Sequence, residues 1–306
     1  MPETKSETNV AVAESDYPAL YLAADNASRL AQKRHLRFTA VILSALVLSA
    51  ALGTFAGIFH SISKLLALAS GTGAAVSFIV TSIRKAMRPD RLWYSGRAVA
   101  ESAKSMAWRY MTGADPYLVS LPLTEADGKF IADLKAMAKD QAQAALGFGG
   151  EFSERPQITA RMRELRSASL AQRKQTYLAS RIADQRKWYA HKADKSQTVA
   201  NRYFVVIQVS QAMTLAATVL LLSPMGSKWN LGGIFSALAS ALIAWLQVRQ
   251  HEELAQAYSV TALDLGFIEE EGASVATEKD LSAFVADAEN TLGREHSLWI
   301  AHKTSA

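Results

Sequence analysis

Cysteine is absent from the 306 residues of the sequence. Disulfide bonds, zinc sites built on thiolates and thiol nucleophiles are therefore excluded. Aspartate, glutamate, lysine, arginine and histidine are absent from four stretches, 38–59, 65–83, 203–223 and 229–248. Each stretch is close to the roughly 20 apolar residues that a helix needs to cross a bilayer, so we predict four transmembrane helices. The alternative, a buried helical hairpin in a soluble protein, would need a larger apolar shell than the rest of the chain provides.

Short connectors, 60–64 and 224–228, pair the spans into two antiparallel hairpins. The hairpin loops contain only two basic residues, Lys64 and Lys228, whereas basic residues flank the hairpins on the other side. These flanking residues are Arg29, Lys33, Arg34 and Arg37 before the first span, Arg84, Lys85, Arg88 and Arg91 after the second, and Arg186, Lys187, Lys192, Lys195 and Arg202 before the third. The positive-inside rule therefore places both termini and the middle segment in the cytoplasm. The predicted fold class is all-α and integral to the membrane, with long cytoplasmic helices.

No arrangement of residues points to catalysis. His251, followed by Glu252 and Glu253, lacks the second histidine of a metalloprotease helix. We predict no catalytic residue, no metal site and no cofactor, and hence a protein that is not an enzyme. The net charge of +5 lies largely beside the spans, where anionic lipid head groups and topology account for it. The expected partner is therefore the lipid bilayer, and no nucleic acid is expected.

Three pairs of similar tracts indicate an internal repeat. They are Tyr21–Ala23 with Tyr177–Ala179, Thr124–Asp127 with Thr277–Asp280, and Phe130–Asp133 with Phe284–Asp287. The middle pair has the spacing of a helix N-cap with an acidic residue three positions later. The alternative is coincidence among alanine-rich helices.

The repeat divides the chain into a polar, disordered tail (1–16), a first two-span unit (17–147), a linker (148–156) and a second two-span unit (157–303). A helix is predicted to run from Gln157 through the third span, because the sequence has few helix-breaking residues there. The fourth span is predicted to continue as a helix to about Glu271.

Small residues recur on one face of the first hairpin. Ser49, Gly53 and Gly57 lie four residues apart in the first span, and Gly73 and Ser77 do so in the second. Side chains this short let helix backbones approach closely in lipid, so these five residues are predicted to pack the helices together.

The third and fourth spans contain polar side chains. Gln208, Gln211, Thr214 and Thr218 belong to the third span. An amide that faces lipid is costly, so these side chains are expected to face protein or water. One interpretation is hydrogen bonding between helices. The other is a polar pore through an oligomer, lined by these residues together with Ser236 and Ser240 of the fourth span.

Several further tracts resemble the SLATT family, the SMODS- and SLOG-associating two-transmembrane effector domains. They follow the first hairpin as Arg91–Tyr94, Arg97, Ala100–Glu101 and Trp108–Tyr110, and they recur near the C-terminus as Arg294–Trp299. With the two-span hairpins, the resemblance covers nearly the whole chain as two fused units.

The resemblance implies a homo-oligomeric pore or ion channel that acts as a membrane effector in bacterial nucleotide-signalled, antiviral defence. It also implies the bacterial inner membrane and a possible trigger, either a nucleotide second messenger or an adjacent nucleotide-synthesising or nucleotide-sensing protein. The alternative is a non-conducting membrane scaffold or sensor that recruits cytoplasmic partners. A small-solute transporter would need binding groups at the midplane or broken helices.

Overall fold

The computed structural model describes residues 11–140, 154–223 and 230–304. Helices account for all regular secondary structure in these ranges, which contain no strand. In chain order the α-helices are α1 (Ala19–Ile58), α2 (Ser63–Met87), α3 (Pro89–Thr112), α4 (Leu123–Asp140), α5 (Ala160–Ser167), α6 (Leu170–Tyr177), α7 (Asp184–Leu221), α8 (Gly232–Arg249), α9 (His251–Glu271) and α10 (Glu278–Thr304). A π-helical segment, Leu178–Ala183, joins α6 to α7. The predicted all-α fold class is confirmed.

Four helical stretches of the described chain are long and apolar enough to cross a membrane. They include α1, α2, α7 and α8, which hold the uncharged segments of the sequence. The first hairpin turns through a 3₁₀ segment at His60–Ile62. The prediction of four membrane-spanning helices is therefore confirmed, whereas the second connector, 224–228, and Trp229 lie outside the described residues.

Internal packing divides the chain into two compact units. The membrane unit consists of residues 32–89 and 192–256, and the helical unit consists of residues 1–31, 90–191 and 257–306. The membrane unit contains the apolar parts of α1 and α7 together with α2 and α8. The helical unit contains α3 to α6 and α10, together with most of α9.

Each half of the chain has a left-handed residue directly after its second span. Arg88 separates α2 from α3 with φ 44°, and Gln250 separates α8 from α9 with φ 50°. The Arg88 N–H donates to Arg84 O at 3.0 Å, and the Gln250 N–H donates to Leu246 O at 2.7 Å. The predicted unbroken helix through the fourth span is therefore wrong. It ends at Glu271 as expected, but the Gln250 backbone interrupts it.

The helix predicted from Gln157 into the third span is also interrupted. Ala168 and Ser169 are extended, with ψ 165° and 155°, and they separate α5 from α6. The Ser169 hydroxyl accepts a hydrogen bond from the Gln172 N–H, and the Gln172 side chain accepts one from the Ser169 N–H. This capping box starts a new helix at Leu170, because it satisfies backbone donors that an unbroken helix would have paired internally.

Aromatic and small residues form the core of the helical unit. In α3, Val99, Ala100, Ala103 and Trp108 are almost fully buried. The Trp108 ring lies edge-on to Tyr177, with 5.5 Å between ring centroids, so it joins the two halves of the sequence. The short side chains on α3 allow its neighbours to approach closely, and the tryptophan fills the remaining volume.

A buried ion pair lies within this core. Arg181 Nη2 donates to Glu289 Oε2 at 2.8 Å, and Arg181 Nε donates to Glu289 Oε1 at 2.9 Å. Tyr177 Oη donates to the same Oε1 at 3.0 Å. Burial alone would lower the pKa of Arg181, but the adjacent Glu289 carboxylate raises it above its usual value. These hydrogen bonds link the π-helical segment to α10.

The two halves follow the same element order, but their final helices begin differently. Thr277 caps α10: its N–H donates to Asp280 Oδ2 at 2.9 Å, and its hydroxyl accepts from the Asp280 N–H at 3.2 Å. Hydrogen bonds from the Thr277 side chain and backbone to the Asp280 carboxylate lower the pKa of Asp280. In the first half Thr124 lies inside α4, so the cap predicted there is wrong. Asp127 accepts hydrogen bonds from Tyr110 and Arg163 instead.

The predicted tail is partly ordered. Residues 1–10 lie outside the described residues, but Glu14–Asp16 form a 3₁₀ turn. The Thr159 hydroxyl donates to Asp16 O at 2.8 Å, and Tyr17 is buried in the core. A disordered tail that extends to residue 16 is therefore wrong at its C-terminal end, because long-range contacts hold the turn.

We predict that Gln250→Gly raises the free energy of unfolding by about 1 kcal/mol, because a left-handed backbone costs an L-residue roughly 1–2 kcal/mol. Gln247→Gly, within α8, is the control and should lower it by about 1 kcal/mol. Thermal unfolding in detergent measures both variants. Shifts of the same sign would contradict the strained junction.

Arg181→Met should lower the free energy of unfolding by about 3–5 kcal/mol, because Glu289 is left buried without its counter-charge. The double variant Arg181→Met/Glu289→Leu should lose less than this single variant. Denaturant titration of the three proteins tests the pair, and a double variant less stable than Arg181→Met would refute this account.

Candidate functional site

The inner face of α7 is lined by small polar and aliphatic side chains. Ile207 and Ser210 are buried within the membrane unit, and Thr214 is half-buried. The hydroxyls of Ser210, Thr214 and Thr218 donate to the carbonyl oxygens four residues earlier, at 2.8, 3.0 and 2.9 Å. These hydroxyls are thus satisfied by their own helix and need no partner from elsewhere.

The two amides of α7 differ from these hydroxyls in their hydrogen bonding. Gln208 and Gln211 are exposed, and neither forms a hydrogen bond with the residues that the structure describes. Exposed aliphatic side chains surround them; Leu215, for example, is 68% exposed. Each carboxamide has two N–H donors and a carbonyl acceptor that lipid cannot satisfy. Within the described residues, therefore, the two amides have no hydrogen-bond partner.

Helix α8 contacts both α7 and α1. A Cβ added to Gly232 would lie 3.8 Å from Thr214 O and from the Thr218 hydroxyl. One added to Gly233 would lie 3.7 Å from the Thr54 hydroxyl of α1. The structure thus brings Thr214 and Thr218 to the contact between α7 and α8. The predicted pore-lining residues therefore fall into two groups, with the threonines at a helix contact and the amides outside it.

Ser236 and Ser240 are exposed on α8. Gln247 is also exposed, seven residues after Ser240, and at about 100° per residue the three side chains fall within roughly 40° of one another. They form a polar stripe along the outer face of α8. The sequence analysis missed Gln247, although the seven-residue spacing was a usable signal.

The small residues of the first hairpin lie mainly at one helix contact. The Ser49 hydroxyl donates to Ser70 O and the Ser70 hydroxyl donates to Ser49 O, both at 2.8 Å. A Cβ on Gly73 would come within 3.1 Å of Ala45 O, and one on Gly53 would lie 3.3 Å from Ser70 Oγ. Close approach and reciprocal hydrogen bonds therefore hold α1 against α2.

The other two predicted packing residues differ from each other. Ser77 is buried within the membrane unit. A Cβ on Gly57 would meet no atom within 4 Å, so this glycine adds no close contact within the protomer. Ser70 is the packing residue that the sequence analysis missed; it lies one heptad before Ser77, which would have placed it on the same helix face.

The residues that carry the family resemblance belong to the helical unit. Arg97 Nη2 forms an ion pair with Glu101 at 2.6 Å, and Asp25 lies 3.6 Å from the same guanidinium group. Trp108 is fully buried, and Arg109 Nη2 donates to Asn290 Oδ1 at 2.8 Å. These residues build the packing of the unit. The side chains of Arg294–Trp299 lie outside the described residues.

A group of residues that could hold a metal ion is not present in the described part of the chain. Most of the predicted linker, 148–153, and the predicted end of the first unit at residue 147 also lie outside it. The boundaries of the two units remain predictions.

Two family models match the chain in tandem. Residues 18–174 match SMODS and SLOG-associating 2TM effector domain 3, and residues 177–299 match SMODS and SLOG-associating 2TM effector domain 1. No curated protein and no solved structure matches the chain. The first model alone covers half of the sequence, and both describe a domain with two membrane-spanning helices. The chain therefore belongs to the SLATT family of membrane effectors and carries two of its domains fused in one polypeptide.

Proposed function

We propose that several copies of this protein assemble into a pore or ion channel in the bacterial inner membrane, as the membrane effector of a nucleotide-signalled antiviral defence system. The observation that carries the proposal is the exposure of Gln208 and Gln211 on a membrane-spanning helix. A single copy would leave both amides in lipid, whereas an assembly supplies either a neighbouring side chain or water.

A single copy with both amides in lipid would have a large energetic cost. An amide without a hydrogen bond costs roughly 2–7 kcal/mol on transfer from water to an apolar medium. Two such amides in one span would use up much of the stability of a typical domain, which is about 5–15 kcal/mol. Assembly removes this cost, because each copy presents Gln208 and Gln211 to another copy or to a water-filled path.

The outer stripe of α8 supplies a second polar surface. Ser236, Ser240 and Gln247 are neutral, and no charged residue occurs in 203–223 or 229–248. A path lined by these side chains and the α7 amides would carry dipoles but no fixed charge. It would therefore pass small ions with little selectivity and would lack the intramembrane charges of a proton-coupled pump or a voltage sensor.

The orientation proposed for the pore follows the basic residues. They flank the hairpins on the side opposite the two short loops, which favours cytoplasmic termini and a cytoplasmic helical unit. The names of the two matching families associate these domains with SMODS and SLOG. A nucleotide second messenger, or an adjacent protein that makes or senses one, is therefore the proposed trigger. We assign no catalytic role to any residue.

A non-conducting scaffold is the competing function. Helix α9 of the helical unit has exposed large apolar side chains, including Phe267 at 66%, which could recruit a partner. A scaffold would leave the membrane potential unchanged on overexpression, whereas a pore would dissipate it. Conduction therefore separates the two functions.

The full chain reconstituted in liposomes should release a trapped ionic dye, and Gln211→Leu should reduce this leak at least severalfold. The same variant should have unchanged or raised thermal stability, because leucine is better tolerated in lipid than an amide. Ala212→Leu is the matched control, since Ala212 is exposed on the neighbouring side of α7. Absence of leakage under every activating condition would refute the pore.

A charged side chain at residue 211 tests whether that residue lines the ion path. Gln211→Glu should shift the reversal potential in bilayer recordings toward cation selectivity, because a ring of carboxylates in a narrow pore attracts cations. A conducting variant with an unshifted reversal potential would mean that residue 211 lies away from the ion path.

A further inference from the structure

Helix α9 has an apolar stripe on its outer face. Val260, Leu263 and Phe267 are 57%, 66% and 66% exposed. The opposite face of the helix is in the core, where Leu265 and Ile268 are buried. At about 100° per residue the three exposed side chains fall within roughly 60° of one another, so they form one ridge. Spacing of this kind is typical of a helix that docks on another helix.

Acidic residues border this ridge. Asp264, Glu270 and Glu271 are exposed, and the sequence of α9 contains neither lysine nor arginine. Among the described residues none of these three carboxylates forms an ion pair. Anionic lipid head groups would repel such a surface, so a bilayer surface is a poor occupant. A partner that complements the α9 ridge would have an apolar surface with basic residues beside it.

The outer face of α4 has this chemistry. Ile131 is 40% exposed, and Lys135 and Lys139 are exposed on the same side of the helix. Gly128 precedes Ile131 by three residues, and a Cβ there would meet no atom within 4 Å, so the surface is open at this point. Gly128, Ile131 and Lys135 repeat the spacing of Val260, Leu263 and Phe267 on α9.

The acids of α4 only partly offset this positive charge. Glu125, in the first turn, is exposed. Asp127 accepts hydrogen bonds from Tyr110 and Arg163, and Asp133 accepts one from Tyr117 at 2.9 Å. Both carboxylates are therefore turned toward the body of the unit. Lys135 and Lys139 have no ion-pair partner among the described residues, and with the exposed Lys129 they outnumber Glu125, so the outer surface of α4 is basic overall.

We propose that the outer face of α9 docks on the outer face of α4 of a second copy. Both faces are exposed within one chain, so they do not cover each other there. Copies anchored in one bilayer share a plane, so a second copy offers the basic apolar surface of α4 at a high local concentration. The contact joins two different faces, and a head-to-tail interface of this kind gives a ring when the rotation between successive copies closes.

This proposal rests on the assembly proposed above and specifies how the helical units meet in it. The α9 ridge inserts beside Ile131, where Gly128 leaves room, and Asp264, Glu270 and Glu271 lie opposite the lysines. Apolar burial supplies the attraction, and the charges fix which faces pair.

The chain has no cysteine, so single cysteines can test the contact in full-length protein. Leu263→Cys and Ile131→Cys copies, distinguishable by tag and mixed in one bilayer, should form a disulfide-linked dimer on oxidation, and neither copy should do so alone. A disulfide requires Cα atoms about 4.4–6.8 Å apart, so the readout is specific. Ala276→Cys mixed with Ile131→Cys is the control, since Ala276 is exposed away from the ridge.

Charge reversal provides a second measurement. Asp264→Lys should reduce the cross-linked fraction roughly tenfold, and Lys135→Glu in the partner copy should restore most of it, as expected for charges that face each other across an interface. Failure to restore would overturn the charge pairing. A Leu263→Cys dimer without the second variant would overturn the head-to-tail contact, and quenching of a probe at residue 263 by brominated lipid would assign the ridge to the bilayer.

Gln211→Cys separates this proposal from the assembly itself. Copies with this variant should cross-link to one another through the membrane-spanning helices if the protein assembles. Cross-linking at residue 211 without cross-linking between residues 263 and 131 would refute the α9–α4 contact and leave the assembly standing. Absence of both, together with a single chain per particle in lipid nanodiscs, would refute the assembly as well.

Discussion

The absence of water from the hydrocarbon core of a bilayer governs the structure of this protein. Every polar group in a span must be satisfied by its own helix, by another helix or by water in a cavity. The hydroxyls meet this requirement locally: Ser210, Thr214 and Thr218 donate to carbonyl oxygens four residues earlier. The amides of Gln208 and Gln211 do not meet it within the described chain. The proposed assembly follows from that difference between two kinds of polar side chain on one helix.

The two units of the chain solve their packing problems with different residues. In the membrane unit, Ser49 and Ser70 exchange hydrogen bonds, and Gly73 permits close approach of the helices. These contacts are needed because lipid provides no hydrophobic driving force for helix association. In the helical unit, Trp108 and the pair of Arg181 with Glu289 are enclosed by aromatic and small side chains. That ion pair holds the π-helical segment before α7 against α10, so it connects the entry to the third span with the end of the chain.

Much of the fold could be predicted from sequence, because length and absence of charge decide whether a segment can cross a bilayer. The breaks within the long helices could not. Gln250 is an ordinary helix former, and neither glycine nor proline marks its left-handed backbone. Thr124 has the spacing of a cap but lies inside α4, because the helix begins at Leu123, directly after Pro122. The spacing from threonine to aspartate is the same at Thr124 and Thr277, but Asp127 accepts hydrogen bonds from Tyr110 and Arg163 and makes no cap.

The candidate site shows the same limit. The sequence predicted one environment for Gln211, Thr214 and Thr218, but Gly232 of α8 lies beside the two threonines and Thr214 is half-buried, whereas Gln211 is exposed. The sequence cannot reveal which side of a helix its neighbour occupies. The two hairpins belong to one internal repeat, yet only the second has amide side chains within its spans. The proposed polar path therefore involves the second hairpin and not the first.

The mass of the particle extracted from native membranes into lipid nanodiscs tests the central claim most directly. The account predicts a particle whose protein mass is a multiple of 33.2 kDa, with several copies present. A particle that contains a single chain, stable and folded in the lipid with its third-span amides uncovered, would contradict it.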